Sequence, residues 1–232
     1  MSKIEIAKLW CRTKHYQSKL AQSRQVVREA LETKLKYYIA VSGGKDSTVV
    51  YNLVKEQSDC IFGVWSDEEF YLPETKEYID SLDNVHQVRD NQPHCKWFKT
   101  EGDYERMPDY PYSLGCRLAF IGLRKQENSR RRIYLNKNGM LHYVKKYDQW
   151  SCNPIANWTW EDVWTYIHSN KLDYNRAYDV LDRIGIHPGK QRIGPFANRL
   201  ALGYGQLAIL KRGWPNEFNR FAAKYPEARS YV

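Results

Sequence analysis

Residues 42–47 read SGGKDS, and they have the types and spacing of a phosphate-binding loop. The adjacent glycines allow positive φ angles and a close approach of an anion to the main chain, and Lys45 adds a positive charge. Asp46 would repel bare phosphate but suits a phosphate-bound Mg²⁺ ion. We expect Lys45 and Asp46 to act in the chemical step, with Asp46 as the candidate Mg²⁺ ligand. The candidate binding residues of the loop are Ser42, Gly43, Gly44, Lys45, Asp46 and Ser47.

Three arginines form a second candidate site in residues 118–132, which read LAFIGLRKQENSRRR. A guanidinium group binds phosphate or sulfate through a two-pronged fork, so Arg124, Arg130 and Arg131 are candidate anion-binding residues. Consecutive side chains cannot all face one point. We therefore expect Arg124 to lie closest to the loop and to act in the chemical step, and Arg130 to contribute to binding. The same run could instead be an ordinary basic surface or could contact nucleic acid.

The sequence around the loop predicts the two elements that position it. Residues 37–41 form a short apolar, β-prone run, as a buried strand should. After Lys45, the apolar residues recur on one face of a helix. A strand, a glycine turn and a helix N-terminus together direct several main-chain N–H groups toward one anion.

Further strands predict where the other candidate residues lie. These strands are expected at 61–65, 85–88 and 119–122. Asp67 follows one of them and Arg124 follows another. Because open α/β sheets bind ligands at the carboxyl ends of parallel strands, the loop, Asp67 and Arg124 should share one crevice.

The remaining segments predict helices, one hairpin and one irregular insertion. Thr159 and Asp162 have the spacing of a capping box, so a helix should begin at Trp160. Asn136-Lys137-Asn138-Gly139 predicts a β-hairpin between 133–135 and 141–144. Residues 4–35 predict one or two helices, 90–115 an irregular insertion, and 198–211 and 215–224 two further helices. We expect an N-terminal helical segment over 1–35, a nucleotide-binding α/β domain over 36–184 and a C-terminal helical extension over 185–232.

Bulk composition limits the classes of partner. The chain has 232 residues, a formal net charge of +9 and a sequence pI of about 9.2, which favours anionic partners and leaves nucleic acid as a possible one. No apolar run approaches the ~20 residues of a membrane span, and the first residues lack a secretory signal pattern. We expect a cytoplasmic chain with no membrane partner. The sequence does not predict an oligomeric state.

The cysteines do not predict a disulfide framework. They are odd in number, contain no CxxC pair and favour buried or incidental thiols over a metal or iron–sulfur site. These residues are Cys11, Cys60, Cys95, Cys116 and Cys152.

Several motifs resemble the adenosine-nucleotide α-hydrolase superfamily, which includes the N-type ATP pyrophosphatases and the phosphoadenosine phosphosulfate (PAPS) reductase family. They are SGGKDS after a strand, Pro73-Glu74-Thr75, Gly122-Leu123-Arg124 and the tryptophan-rich helix near 158–167. The resemblance implies an α/β, three-layer, Rossmann-like fold with a mostly parallel sheet and a helical C-terminal region. It also implies a loop that holds the β- and γ-phosphates while a nucleophile attacks the α-phosphorus.

The resemblance is incomplete at the cysteines. Where many relatives have Arg-x-Gly-Cys-x-x-Cys, residues 192–197 read RIGPFA, and no cysteine follows Cys152. The favoured hypothesis is therefore α-phosphate chemistry on ATP or a related adenosine nucleotide, with Mg²⁺, release of pyrophosphate, and adenylyl transfer to a sulfur-pathway or other acceptor. Two alternatives remain open: a PAPS reductase or sulfurtransferase that uses an external thiol, and an ATP-dependent component of DNA or tRNA modification.

Overall fold

The computed structural model describes residues 3–67, 70–89, 109–194, 196 and 205–232. Its centre is a six-stranded sheet with the strand order β3-β2-β1-β4-β6-β5. The strands are β1 Tyr37–Ala40, β2 Gly63–Asp67, β3 Val85–Arg89, β4 Leu118–Phe120, β5 Leu141–Val144 and β6 Gln149–Cys152. All neighbouring strands are parallel except β5, which pairs antiparallel with β6 at one edge. The predicted α/β fold with a mostly parallel sheet is confirmed.

Helices precede, connect and follow these strands. They are α1 Lys3–Trp10, α2 Lys14–Glu32, α3 Lys45–Lys55, α4 Pro73–Asp80, α5 Asp109–Ser113, α6 Ser129–Asn138, α7 Trp160–Ser169, α8 Ala177–Arg183, α9 Gln206–Gly213 and α10 Pro215–Lys224. Among the described residues, no helix is both long and apolar enough to cross a membrane.

The strand order places a topological switch beside β1. From β1 the chain builds β2 and β3 on one side and then crosses to β4 on the other side. The connections that leave the carboxyl ends of β1 and β4 therefore run in opposite directions. Open α/β sheets bind ligands at such a switch point.

The two faces of the sheet bury different side chains, because successive residues of a strand point in opposite directions. Ile39 and Val41 belong to the larger hydrophobic cluster, which includes apolar residues of α2, α3 and α7. Tyr38 belongs to a smaller cluster on the opposite face, together with Val64 and Ala119. Burial on both faces explains why β1 has an apolar sequence without alternation.

Side chains from all three predicted segments meet in the larger cluster. Leu20 of α2, Ile39 of β1 and Phe218 of α10 are members of it. Near the C-terminus, the Trp214 indole also donates a hydrogen bond of 2.9 Å to Glu74 Oε1 of α4. The proposed division into 1–35, 36–184 and 185–232 stays a prediction.

The predicted hairpin between 133–135 and 141–144 is wrong. Residues 133–135 lie inside α6, whose first turn is capped by the Asn128 side chain accepting from Arg131 N at 2.8 Å. Gly139 ends the helix with a φ of 79°, a conformation that glycine adopts without strain. The Asn-Gly pair therefore marks a helix C-terminus, and β5 pairs with β6 instead.

Two other predicted segments fall partly outside the described residues. Within 90–115, the structure describes only the end, where α5 covers 109–113. Within 198–211, it describes the last part, where α9 begins at Gln206.

The capping box of α7 gives a direct test of the local fold. Thr159 Oγ1 accepts from Asp162 N, while Asp162 Oδ2 accepts from Thr159 N at 2.7 Å. Thr159→Ala removes one half of this exchange and should lower the free energy of unfolding by about 1 kcal/mol. Urea denaturation measures the change. Ser18→Ala, at an exposed position inside α2, is the control and should stay within about 0.5 kcal/mol of the wild type. Equal values for both variants would contradict the capping role.

Candidate functional site

The backbone of the loop requires glycine at its tightest point. Gly43 has a φ of 73°, and a Cβ atom there would lie 2.9 Å from Thr75 Cγ2. Both the conformation and the space exclude a larger residue. The two serines close the loop, because Ser47 Oγ accepts from Ser42 N at 3.2 Å and donates to the Gly44 carbonyl at 2.9 Å. The loop is thus held in shape by its own side chains.

Three charged side chains meet at the end of this loop. Arg124, which follows β4, donates from Nε to Asp46 Oδ1 at 2.6 Å and from Nη2 to Asp46 Oδ2 at 3.4 Å. Lys45 Nζ lies 3.5 Å from Asp46 Oδ2. Lys45 and Arg124 are only 4% and 3% exposed. We call Lys45, Asp46 and Arg124 the charge cluster.

The charge cluster shifts the pKa of its members. Burial would raise the pKa of Asp46, but the attraction of Lys45 and Arg124 outweighs it and holds that pKa below its ordinary value. Burial lowers the pKa of Lys45, and Asp46 offsets only part of the effect. Burial also opposes the charge of Arg124, yet Asp46 raises its pKa overall. The carboxylate therefore stays ionised at neutral pH, and Lys45 loses its proton more readily than an exposed lysine.

The charge cluster lies at the N-terminus of α3, where Asp46 is in the first turn. The unpaired N–H groups of a first helical turn favour negative charge. Two cations and one carboxylate leave one net positive charge beside this helix terminus. The arrangement can therefore bind an anion.

Asp46 does not fit its expected role as a Mg²⁺ ligand. Both of its carboxylate oxygens already accept hydrogen bonds from Arg124, and Lys45 adjoins one of them. A divalent cation at these oxygens would be repelled by two buried positive charges. Among the described residues, no group of three or more His, Cys, Asp or Glu side chains could hold a metal ion.

A glycine after β4 allows the two halves of the site to approach. A Cβ atom on Gly122 would lie 3.0 Å from the Asp46 carbonyl carbon and 3.1 Å from Ser47 N. The main chain after β4 therefore contacts the first turn of α3 directly. This close approach brings Arg124 within hydrogen-bond distance of Asp46.

Three buried residues that the sequence did not indicate hold the loop and Lys45 in place. Asn175 is fully buried and donates from Nδ2 to the Gly43 carbonyl at 3.2 Å and to Thr75 Oγ1 at 2.8 Å. Tyr178 Oη accepts from Lys45 N at 3.0 Å. The Leu-x-Tyr-Asn-x-x-Tyr-Asp pattern of residues 172–179 contains Asn175 and Tyr178, but its spacing alone does not indicate contact with a loop about 130 residues earlier.

The third missed residue positions the lysine. The Gln191 carbonyl accepts from Lys45 Nζ at 3.2 Å. The Gln191 side chain is itself fixed, since it donates to the Ile186 carbonyl at 2.9 Å and accepts from Lys3 Nζ at 3.0 Å. The ammonium group of Lys45 is thereby tied to α1 through a single buried glutamine. No local sequence pattern predicts such a link.

The other two candidate arginines lie on α6. Arg131 forms an ion pair with Glu127, and Arg130 is exposed on α6. Glu127 Oε2 also accepts from Arg124 N at 2.9 Å, so it links α6 to the charge cluster. The main chain of Asp67 ends β2 at the expected edge of the sheet, while its side chain lies outside the described set.

Comparison with known proteins agrees with the motifs. The profile of the phosphoadenosine phosphosulfate reductase domain matches residues 36–188, about two thirds of the chain. The chain belongs to this family. The matched region contains the loop, the charge cluster and the buried residues Asn175 and Tyr178.

This member of the PAPS reductase family has low sequence identity to its curated relatives. An adenosine 5'-phosphosulfate reductase from Anoxybacillus flavithermus is 23% identical over 60% of this chain and 66% of its own length. One from Bacillus anthracis is 25% identical over 64% of this chain and 73% of its own length. An uncharacterized protein from Methanocaldococcus jannaschii is 25% identical over 84% of this chain but only 44% of its own length.

A solved structure supports the fold. The phosphoadenylyl-sulfate (PAPS) reductase from Candida auris, in a phosphate complex, superposes with a TM-score of 0.53. The match covers 83% of this chain and 93% of that chain at 16% identity. At this level of identity the likeness concerns the fold alone.

The charge cluster predicts that removing the charge of Asp46 lowers stability and increases stabilisation by an added anion. Asp46→Asn keeps the shape of the side chain but removes the counterion of two buried cations. Breaking a buried pair in this way costs about 3–5 kcal/mol, so the variant should unfold at a markedly lower urea concentration. Because an anion can replace the lost charge, inorganic pyrophosphate without Mg²⁺ should raise the melting temperature of the variant more than that of the wild type.

The same variant tests the pKa of Asp46. A folded-state pKa below the unfolded value of about 3.9 contributes stability at higher pH, and this contribution is lost as the pH falls through the folded-state pKa. Asp46→Asn should lack that part of the acid dependence. Asp83→Asn, which alters an exposed pair with Lys55, is the control. A variant as stable as the wild type, or one that pyrophosphate stabilises less, would contradict the counterion role.

Proposed function

We propose that the chain binds ATP or a related adenosine nucleotide with its phosphates against residues 42–47, and that it catalyses attack on the α-phosphorus. An acceptor oxyanion forms the new P–O bond. The bond to the α,β-bridging oxygen breaks, and pyrophosphate leaves with the electron pair. An ionised acceptor needs no general base.

The observation that carries the proposal is the charge cluster at a helix N-terminus. Lys45 and Arg124 are buried cations that converge from two different strand ends on one carboxylate. A transferring phosphoryl group carries negative charge that such fixed cations stabilise without reorganisation. The matched family agrees with an adenosine nucleotide as the ligand.

The catalytic contribution we assign to these residues is positioning and charge neutralisation. Gly43 and the main-chain N–H groups after it would hold the phosphates, and Lys45 and Arg124 would offset the charge that develops as pyrophosphate leaves. Mg²⁺, when present, would arrive with the nucleotide's phosphates, because Asp46 is engaged by Lys45 and Arg124.

The two buried cysteines, Cys116 and Cys152, do not suit the role of an internal thiol nucleophile. The Cys152 thiol is buried and faces the Val26 carbonyl of α2 at 3.8 Å, and burial raises its pKa. The Cys116 thiol faces the Tyr37 carbonyl at the start of β1, the end of the strand away from the loop, and burial also raises its pKa. A thiolate is the reactive form, so neither residue suits nucleophilic attack at the loop.

Family membership supports a second candidate function. A sulfonucleotide could occupy the same loop, and an external thiolate could attack its sulfur. The S–O bond to the phosphate would break, the nucleoside phosphate would leave, and a thiosulfonate would form on the thiol. In this alternative the chain supplies the anion site and a separate dithiol supplies the electrons.

The experiment measures pyrophosphate release from ATP with sulfate, tRNA and single-stranded DNA offered in turn. Lys45→Ala should weaken ATP binding by roughly 1.5–3 kcal/mol, the scale of a charge-assisted hydrogen bond. Arg124→Lys keeps the charge but loses the fork, so it should lower turnover. Lys55→Ala, at the exposed end of α3, is the matched control and should behave as the wild type.

The outcomes separate the two candidates. Pyrophosphate release that depends on Lys45 and Arg124 supports the first. Thiol-dependent turnover of a sulfonucleotide, with no pyrophosphate release from ATP, supports the second. If calorimetry finds that folded Lys45→Ala binds ATP as tightly as the wild type, the loop is not the nucleotide site. Urea denaturation of each variant establishes that it is folded.

A further inference from the structure

Helix α6 presents an exposed basic surface beside the charge cluster. Its sequence, SRRRIYLNKN, contains four cationic residues and no acidic one. Ile133 is 68% exposed and Tyr134 is 37% exposed. Helical spacing places both on the side of α6 that carries Arg130 and Lys137, whereas Arg132 lies on a different side. We call this side the α6 surface; its exposed members are Arg130, Ile133, Tyr134 and Lys137.

The α6 surface is connected to the candidate site by one residue. Glu127 accepts from the Arg124 main chain at 2.9 Å through one carboxylate oxygen and pairs with Arg131 of α6 through the other. The first turn of α6 therefore lies a few residues from the guanidinium group that contacts Asp46. A polyanion bound along α6 would approach the reacting phosphates.

Packing and hydrogen bonds hold α6 in place. Leu135 is the fully buried anchor of the helix. Asn128 caps the N-terminus, and Gly139 ends the helix with its N–H donating to the Leu135 carbonyl at 3.0 Å. The Tyr134 hydroxyl is hydrogen-bonded to His142 Nε2 at 2.6 Å, so its ring is held in place while part of it faces solvent. A fixed ring loses little entropy when a partner stacks on it.

We propose that the α6 surface binds a single-stranded nucleic acid, which is the acceptor for the nucleotide site. Such strands are bound by cations that follow the phosphates and by exposed aromatic rings on which bases stack. The α6 surface provides both, and the formal net charge of +9 agrees with a polyanionic partner. Binding itself is independent of the proposed function. Only the assignment of the strand as acceptor rests on it.

The composition of the surface favours nucleic acid over an anionic membrane. A membrane-bound helix needs a broad apolar face that enters the acyl region. Ile133 is the one large aliphatic side chain exposed on α6, and Leu135 is directed into the protein. The remaining exposed positions are polar, cationic or the ring of Tyr134.

The test is fluorescence anisotropy with a labelled oligo(dT) of about 20 nucleotides, long enough for one binding site. Tyr134→Ala/Lys137→Ala removes the ring and one cation from the α6 surface. Lys14→Ala/Arg28→Ala removes two exposed cations from α2 and is the matched control. Each protein is titrated between about 50 and 200 mM salt, because phosphate contacts appear as a salt dependence.

The proposal predicts that the α6 variant binds the oligonucleotide at least tenfold more weakly than the wild type. Its salt slope should be smaller by about 0.7, since each lost phosphate contact in a single strand accounts for about that much. The control should bind within about twofold of the wild type, and both variants should keep wild-type affinity for ATP in calorimetry.

Three results would overturn the proposal: no binding of oligo(dT) by the wild type, equal weakening in the control, or binding of phosphatidylserine vesicles in place of the oligonucleotide. None of these results bears on the nucleotide site. The proposed function is tested separately: it is wrong if the wild type does not bind ATP.

Discussion

Two buried cations that share one carboxylate constrain the rest of this structure. Removing Lys45 and Arg124 from water costs free energy that Asp46 and the surrounding dipoles must offset. The three charges leave one positive charge in excess at the N-terminus of α3. Such a buried excess favours binding of an anion, and the anion that we propose is the polyphosphate of a nucleotide.

The fold provides what this charge arrangement needs. The switch in strand order lies beside β1. Gly122 lets its main chain approach that of Asp46 and Ser47, and Gly43 leaves room for the Thr75 side chain, where in each case a Cβ atom would collide. Asn175 then holds the loop by donating to the Gly43 carbonyl, and the Gln191 carbonyl accepts from Lys45 Nζ. Most of these contacts join residues far apart in sequence, so the site exists only when the whole α/β domain is folded.

The sequence predicted the local elements of the site but not the contacts between residues that are far apart in the chain. Residues 37–54 combine a β-prone run, glycines and a helical stripe, so strand, loop and helix followed from periodicity and glycine chemistry. Arg124 could be placed near the loop because strand ends share one edge of a parallel sheet. Asn175 and Gln191 could not, since their partners are distant in the chain. The hairpin prediction around Gly139 failed because an Asn-Gly pair also ends helices. The Asn128 side chain caps the N-terminus of the helix that forms instead.

The central claim is that the anion held by the charge cluster is the polyphosphate of an adenosine nucleotide. A crystal structure with α,β-methylene ATP, whose α,β bond resists cleavage, tests it most directly. The account predicts phosphate oxygens within hydrogen-bond distance of the main-chain N–H groups of residues 43, 44, 46 and 47 and of the Arg124 guanidinium, with Asp46 still paired to a cation. A nucleotide bound elsewhere, with Lys45 and Arg124 making no contact to its phosphates, would contradict the account.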